Sequence, residues 1–241
     1  MYQMGDKVPA YDKVSTMFSP DGRLYQVEYA SKIVEQGTTG LGLVFADGVM
    51  FAADKSIHSK LLIPKSIEKL FKVDEHIGFV SAGLVGDARR LVSIARKQAQ
   101  ENKMYYDESI QVQTLAKEIA SIKQSLTQYG GMRPFGVSLI VGGVDVSGPR
   151  LFETEPSGAL AEYYAIAIGK GKEAVTKFLE KNYKPNLSFD SALSLLVDTL
   201  KASFKDPATL DLDSVDFAVI TKDAPFRLIS ISEVKKAISK K

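Results

Sequence analysis

A chain of 241 residues, 45% of them apolar, can bury one sizeable core, and a formal net charge of +2 leaves no single-sign block to grip nucleic acid. Cysteine is absent, which excludes disulfides, cysteine nucleophiles and thiolate metal sites. The two histidines, His58 and His76, are far apart in polar surroundings, so neither a metal nor a cofactor is expected.

No run of 18 apolar residues and no apolar leader occurs, which predicts a soluble, cytoplasmic protein that does not enter a membrane. No linker or repeat divides the chain. The expected organisation is a tail over 1–18 and one domain over 19–241.

In chain order, Tyr11-Asp12 and Phe18 mark places where an otherwise polar tail could dock. A helix is predicted over 19–36: Ser19 or Asp21 as N-cap, Pro20 at its start, and Gly37 as a left-handed stop. Leu24, Val27, Ala30 and Val34 recur along it at helical spacing. Residues 39–46 and 49–53 flank Asp47-Gly48 as a hairpin, and 67–73 and 77–82 form a second. These four strands are expected to be antiparallel neighbours. Two helices follow over 85–102 and 110–129, the second ending at Gly130-Gly131 before Pro134. Strands are predicted over 135–143, 150–154 and 159–168, and helices over 172–182 and 189–204. Strands near 214–221 and 227–231 and a helix from Ser232 close the chain. The pairs Lys235-Lys236 and Lys240-Lys241 suit the negative end of that last helix.

Runs of strands alternating with pairs of helices argue against a wound βαβ sheet. They predict an α+β fold: two stacked antiparallel sheets with helices on both outer faces.

Four motifs make the reading specific. They are Tyr11-Asp12, the run Phe18-Ser19-Pro20-Asp21-Gly22-Arg23-Leu24-Tyr25-Gln26-Val27-Glu28-Tyr29-Ala30, the run Gly83-Leu84-Val85-Gly86-Asp87-Ala88-Arg89, and Tyr129-Gly130-Gly131-Met132-Arg133-Pro134-Phe135-Gly136. Carrying these in order, the chain resembles the 20S proteasome α subunits, of the archaeal kind. The resemblance implies an αββα sandwich of the N-terminal-nucleophile hydrolase class, and a non-catalytic subunit of a threonine-type endopeptidase complex. It also implies seven-membered rings of α subunits that cap β rings, and a gate through which unfolded protein substrates pass.

The β subunits of that fold attack with an N-terminal threonine whose free α-amine acts as base. Here Thr38 matches that threonine, and Asp54 and Lys69 fall where a supporting carboxylate and lysine stand. Cleavage between Gly37 and Thr38 would therefore make a self-processing threonine protease. Against this, the segment before Thr38 carries the α-type helix. In addition, Gly169-Lys170-Gly171 stands where β subunits keep a Gly-flanked serine, and a lysine cannot replace that hydroxyl. The same glycines lack phosphate-loop spacing and read as a strand-to-helix turn. No catalytic residue is assigned.

Carried over residue by residue, the resemblance implies a gate cluster of Tyr11, Asp12, Pro20 and Tyr29. The family's usual arginine after Tyr-Asp is Lys13 here, which cannot make a planar two-pronged contact. It implies that Lys69 pairs with the C-terminal carboxylate of an activator ATPase tail of the form hydrophobic-Tyr-X, whose tyrosine lies against Gly83-Leu84 with Glu28 nearby. It also implies that Gly130, Gly131, Arg133 and Pro134 line the entrance annulus.

Overall fold

The computed structural model describes residues 10–55, 61–63, 66–204, 206 and 210–239; His58, Lys240 and Lys241 lie outside them. After a single turn, α1 (Ala10–Lys13), and the helix α2 (Tyr25–Gln36), two hairpins form: β1 (Gly40–Phe45) with β2 (Gly48–Asp54), and β3 (Leu70–Asp74) with β4 (Ile77–Gly83). The helices α3 (Val85–Tyr106) and α4 (Val112–Ser125) precede β5 (Val137–Asp145), β6 (Gly148–Thr154), β7 (Leu160–Glu162) and β8 (Ala165–Ile168). Then come α5 (Lys172–Asn182), α6 (Phe189–Ala202), β9 (Val215–Thr221), β10 (Arg227–Ile229) and α7 (Ile231–Ser239).

Two five-stranded antiparallel sheets result, ordered β10-β9-β2-β1-β8 and β3-β4-β5-β6-β7. The hairpins form as expected, but the four strands are not all neighbours, because each hairpin joins a different sheet. The physical reason is burial on both faces: β2 is buried at all seven positions and so needs a strand on its free edge and a layer on each side. β9 takes that edge. The expected strand over 159–168 is likewise two strands, with Tyr163-Tyr164 crossing from one sheet to the other.

Three apolar layers hold the sandwich. One lies between the first sheet and α5, α6 and α7, and includes Leu41, Leu196, Phe217 and Val234. A second lies between the other sheet and α3 and α4, and includes Phe79, Leu91, Leu115 and Leu139. The third fills the space between the sheets with Phe51, Val80, Ile140 and Ile220, and Val34 of α2 joins it. The first helix thus closes one end of the inter-sheet layer.

The start of α2 differs from expectation. Residues 19–24 form a turn: Ser19 N donates to Arg23 O and Gly22 N to Ser19 O, both at 2.9 Å, with Gly22 at φ +74°. Ser19 Oγ accepts from Arg23 N, so it caps this turn and not the helix. The helix begins behind Leu24, which gives no side-chain cap, and Pro20 is a turn residue. Gly37 is not a left-handed stop either; its backbone is extended, at φ −66° and ψ 148°. It is needed for another reason, because a Cβ there would lie 2.5 Å from Gly83 N.

Candidate functional site

Helix α2, the β1 start and the β3 start converge on Thr38. Lys69 is buried, and its Nζ donates to Thr38 O at 2.7 Å, to Asp54 O at 2.9 Å, and to Thr38 Oγ1. Thr38 Oγ1 donates in turn to Asp54 O at 2.5 Å. All three ammonium protons therefore have acceptors. Burial pulls the Lys69 ammonium down to about 8, partly opposed by the negative charge of Asp54.

The peptide before Thr38 is held from several sides. Gly37 N donates to Val34 O as α2 ends, Gly37 O accepts from Lys170 N at 2.7 Å, and Thr39 Oγ1 donates to Lys170 O. Lys170 sits in the turn between β8 and α5, flanked by Gly169 at φ +84° and Gly171 at φ +78°. This is a strand-to-helix turn, as its spacing predicts. Chemically the cluster has a hydroxyl, a depressed lysine and a buried aspartate, and in the uncut chain the threonine nitrogen is an amide. Its lone pair is delocalised and cannot take the hydroxyl proton.

The second group gathers around the turn before α2. Tyr29 OH donates to Asp12 Oδ1 at 2.5 Å, and Gln26 Nε2 donates to Asp12 O at 2.5 Å. The hydrogen bond to Asp12 raises the Tyr29 hydroxyl above its usual range. Tyr25 stacks on Tyr29 at 6.3 Å. Tyr11 shares the turn with Asp12, but its side chain lies outside the described residues. Lys13 is exposed, and Pro20 is exposed in the turn that follows. Glu28 is taken by Arg23 through both oxygens, which lowers its carboxyl and raises the guanidinium.

A third group ties the 126–136 loop to α3. Arg133 makes a two-pronged pair with Asp87 at 2.7 and 2.8 Å, and Gly136 N donates to Asp87 Oδ2 at 2.8 Å. Leu84 N donates to Gly136 O, and a Cβ on Gly136 would meet Leu84. Gly83, at φ +112°, is the glycine that Gly37 abuts. Gly130 and Gly131 are exposed along the loop while Pro134 is buried, and Ser15 Oγ donates to Met132 O. The structure thus brings Gly83 and Leu84 beside the 126–136 loop and beside Gly37, while Glu28 is engaged with Arg23.

Comparison with known proteins decides the family. A family model described as "Proteasome subunit" matches residues 34–220, and a second, for the N-terminal signature of A-type proteasome subunits, matches residues 11–32, the span of the turn and α2. The chain belongs to the proteasome α-subunit family. It is 48% identical to "Proteasome subunit alpha" of Methanocaldococcus jannaschii over 96% of this chain and 88% of the relative. The Archaeoglobus fulgidus protein of the same name is 48% identical over 95% of this chain and 93% of its own. That of Methanosphaerula palustris is 47% identical over 97% and 94%. The family assignment and the sandwich agree with the resemblance drawn from the motifs.

Three residues of this family member carry contacts that the sequence did not disclose. Asp87 lies inside a quoted motif, but nothing local shows that it holds Arg133. Ser15 docks the tail through a residue 117 positions away. Lys123 is fully buried, with Nζ donating to Val137 O, Thr154 O and Thr154 Oγ1. Its signal was available, since it stands four residues after Ile119 on the apolar stripe of α4. Among the described residues no helix is long and apolar enough to cross a membrane, and no group of three or more potential metal ligands occurs.

Proposed function

We propose that this chain is a non-catalytic subunit that gates and docks for a threonine-type endopeptidase in protein degradation. The observation that carries the reading is the seating of α2 ahead of Thr38: Gly37 O accepts from Lys170 N, Val34 is part of the inter-sheet core, and the α-type signature covers 11–32. Releasing Thr38 as a free amine would remove a helix that the sandwich uses as a wall. The nucleophile's own amine is the base in this class of chemistry, so an intact amide leaves the hydroxyl without one.

In this reading the segment 1–18 is the gate, separate from the domain 19–241, and the turn at Pro20 sets its direction. Tyr29, through Asp12, fastens the tail to α2, and Tyr11 works beside them. Seven such chains form a ring that caps β rings, with Gly130, Gly131, Arg133 and Pro134 at the annulus through which unfolded substrates pass. The free energy separating a fastened from an unfastened tail is small when few contacts hold it, which suits a gate.

Lys69 with Gly83 and Leu84 receives the C-terminal carboxylate of an activator ATPase tail ending hydrophobic-Tyr-X. The ammonium binds that carboxylate by exchanging one of its three carbonyl or hydroxyl acceptors for a charged one, which forms the stronger bond. Glu28 contributes to docking only when Arg23 releases it.

The test is the intact mass and N-terminal sequence of the chain within the assembled particle. A retained Gly37–Thr38 bond and no acylation by a threonine-directed inhibitor are expected. A new Thr38 terminus would overturn the reading in favour of a self-processing threonine protease. Lys69→Ala should abolish ATPase-stimulated peptide hydrolysis while rings still form.

A further inference from the structure

A concavity of about 590 Å³ opens at the end of the sandwich, far along the chain from the gate and docking residues, where Tyr163-Tyr164 cross from the second sheet to the first. The crossing is fixed on both sides: Tyr163 N donates to Leu151 O at 2.9 Å, and Val44 N donates to Tyr164 O at 2.7 Å. The ring of Tyr164, 73% exposed, stacks on Tyr183, just past the end of α5, at 6.1 Å and 20°. Tyr183 is itself anchored, its hydroxyl donating to Val44 O. The hollow is thus a built aromatic wall over an apolar floor, with a volume in the range of small-molecule sites.

Its ionic lining is of one sign. Among the described residues Glu162 and Glu180 are the charged ones on it, and no lysine or arginine lines it. Glu162 already grips the chain's own Arg150 through both oxygens. Glu180 is exposed, with Lys177 nearby but paired to Glu173. One strand away the protein uses the same chemistry on itself: the Arg150 guanidinium lies over the Phe152 ring at 5.2 Å while it pairs with Glu162. An anion would be repelled by both carboxylates, and a wholly apolar ligand would strip water from Glu180 with no compensating charge. A cation on an apolar stem gains from the rings and from the carboxylate together.

We propose that this concavity binds a small organic cation, its ammonium or guanidinium group against Glu180 and its stem along the stacked Tyr164 and Tyr183 rings. The site is independent of the gating and docking reading, and its test does not involve proteolysis.

Agmatine serves as the probe and pentylurea as a neutral counterpart of similar shape, titrated into the assembled full-length protein by calorimetry. Tyrosine emission is a second readout, since the chain has no tryptophan. Saturable agmatine binding is expected, about tenfold or more tighter than pentylurea, the scale of one charge-assisted hydrogen bond. Glu180→Gln and Tyr164→Ala each should weaken it by about tenfold with unchanged circular dichroism, because both side chains are exposed. No saturable binding at millimolar agmatine, equal binding of pentylurea, or unchanged affinity in Glu180→Gln would overturn the assignment.

Discussion

The Nζ atom of Lys69 lies 2.7 Å from Thr38 O and 2.9 Å from Asp54 O, so one buried ammonium ties the entry of β1 to the end of β2. Burial there makes the lysine responsive to pH. Its ammonium is held down to about 8, against an ordinary value of 10.5. Between those values the unfolded chain binds more protons than the folded one, so this residue's effect on stability becomes more favourable as pH rises through the window.

Docking should move the other way. A carboxylate tail needs the charged ammonium, so activator-stimulated peptide hydrolysis is expected to fall as pH rises from 7 to 9, with a midpoint near 8. Basal hydrolysis, normalised at each pH, reports the catalytic subunits alone. A stimulation ratio that is flat across this range would remove Lys69 as the carboxylate's partner.

The Asp87–Arg133 pair invites an asymmetric pair of substitutions. Arg133 is largely exposed and Asp87 is not, and Asp87 also accepts from Gly136 N. Arg133→Ala should cost no more than about 1 kcal/mol, as exposed ion pairs do. Asp87→Ala also strands the Gly136 N–H and should cost about 1–3 kcal/mol. Urea unfolding measures both, and limited proteolysis within residues 126–136 should accelerate more in the aspartate variant. Equal effects would mean that the backbone acceptor role of Asp87 is negligible.

What could be read from sequence follows the range of the interaction. The hairpins, the stripe of α3 and the strand-to-helix turn at Gly169-Lys170-Gly171 are local, and periodicity or turn chemistry exposes them. The assignment of hairpins to separate sheets is not local, because β1 with β2 and β3 with β4 show equally apolar patterns. Motif resemblance placed Lys69 beside Thr38 in the right region, yet not the three acceptors that hold it. The pairing of Glu28 with Arg23, five residues away, is a matter of rotamers at the helix start, as is the shift of the first turn from Pro20 to Tyr25. Gly37 read as a helix stop because glycine so often is one; its real constraint comes from Gly83, which no local pattern reveals.

Lys123 tests what a buried charge does to this fold. It is fully enclosed, and burial draws its ammonium down to about 7, with Glu153 and Glu155 opposing. Glu153 is itself bound to Lys172 at 2.6 Å. From about pH 7 to 10.5 the unfolded state binds the extra proton, so stability should climb across that interval. Lys123→Met keeps the stem and removes the charge but also takes the donor from Val137 O, Thr154 O and Thr154 Oγ1, so it should cost about 1–3 kcal/mol at pH 7. It should also confine the remaining lysine-dependent rise to the region above about 8, where Lys69 titrates. Lys123→Ala leaves a cavity and should lose about 2–4 kcal/mol. Urea midpoints between pH 6 and 9.5 distinguish these cases, and an unaltered pH slope in Lys123→Met would show that the lysine does not titrate there.

Gly37→Ala probes the contact that seats α2 against the sandwich. The added Cβ would fall 2.5 Å from Gly83 N and 3.2 Å from Gly83 Cα, both backbone atoms that no rotamer change can move aside. The backbone at Gly37 is extended, so alanine is not strained by its own dihedrals, and any loss is the collision alone. Overpacking of this kind costs about 1–3 kcal/mol. Gly83 cannot retreat freely, since its φ of +112° and the neighbouring Leu84 N to Gly136 O bond fix it between β4 and the 126–136 loop. The helix must therefore lift, weakening Val34's place between the sheets and the Lys170 N to Gly37 O bond. A lowered melting temperature together with faster amide exchange at Lys170 is the expected result. Wild-type exchange at Lys170 in a destabilised variant would locate the strain elsewhere and leave α2 seated.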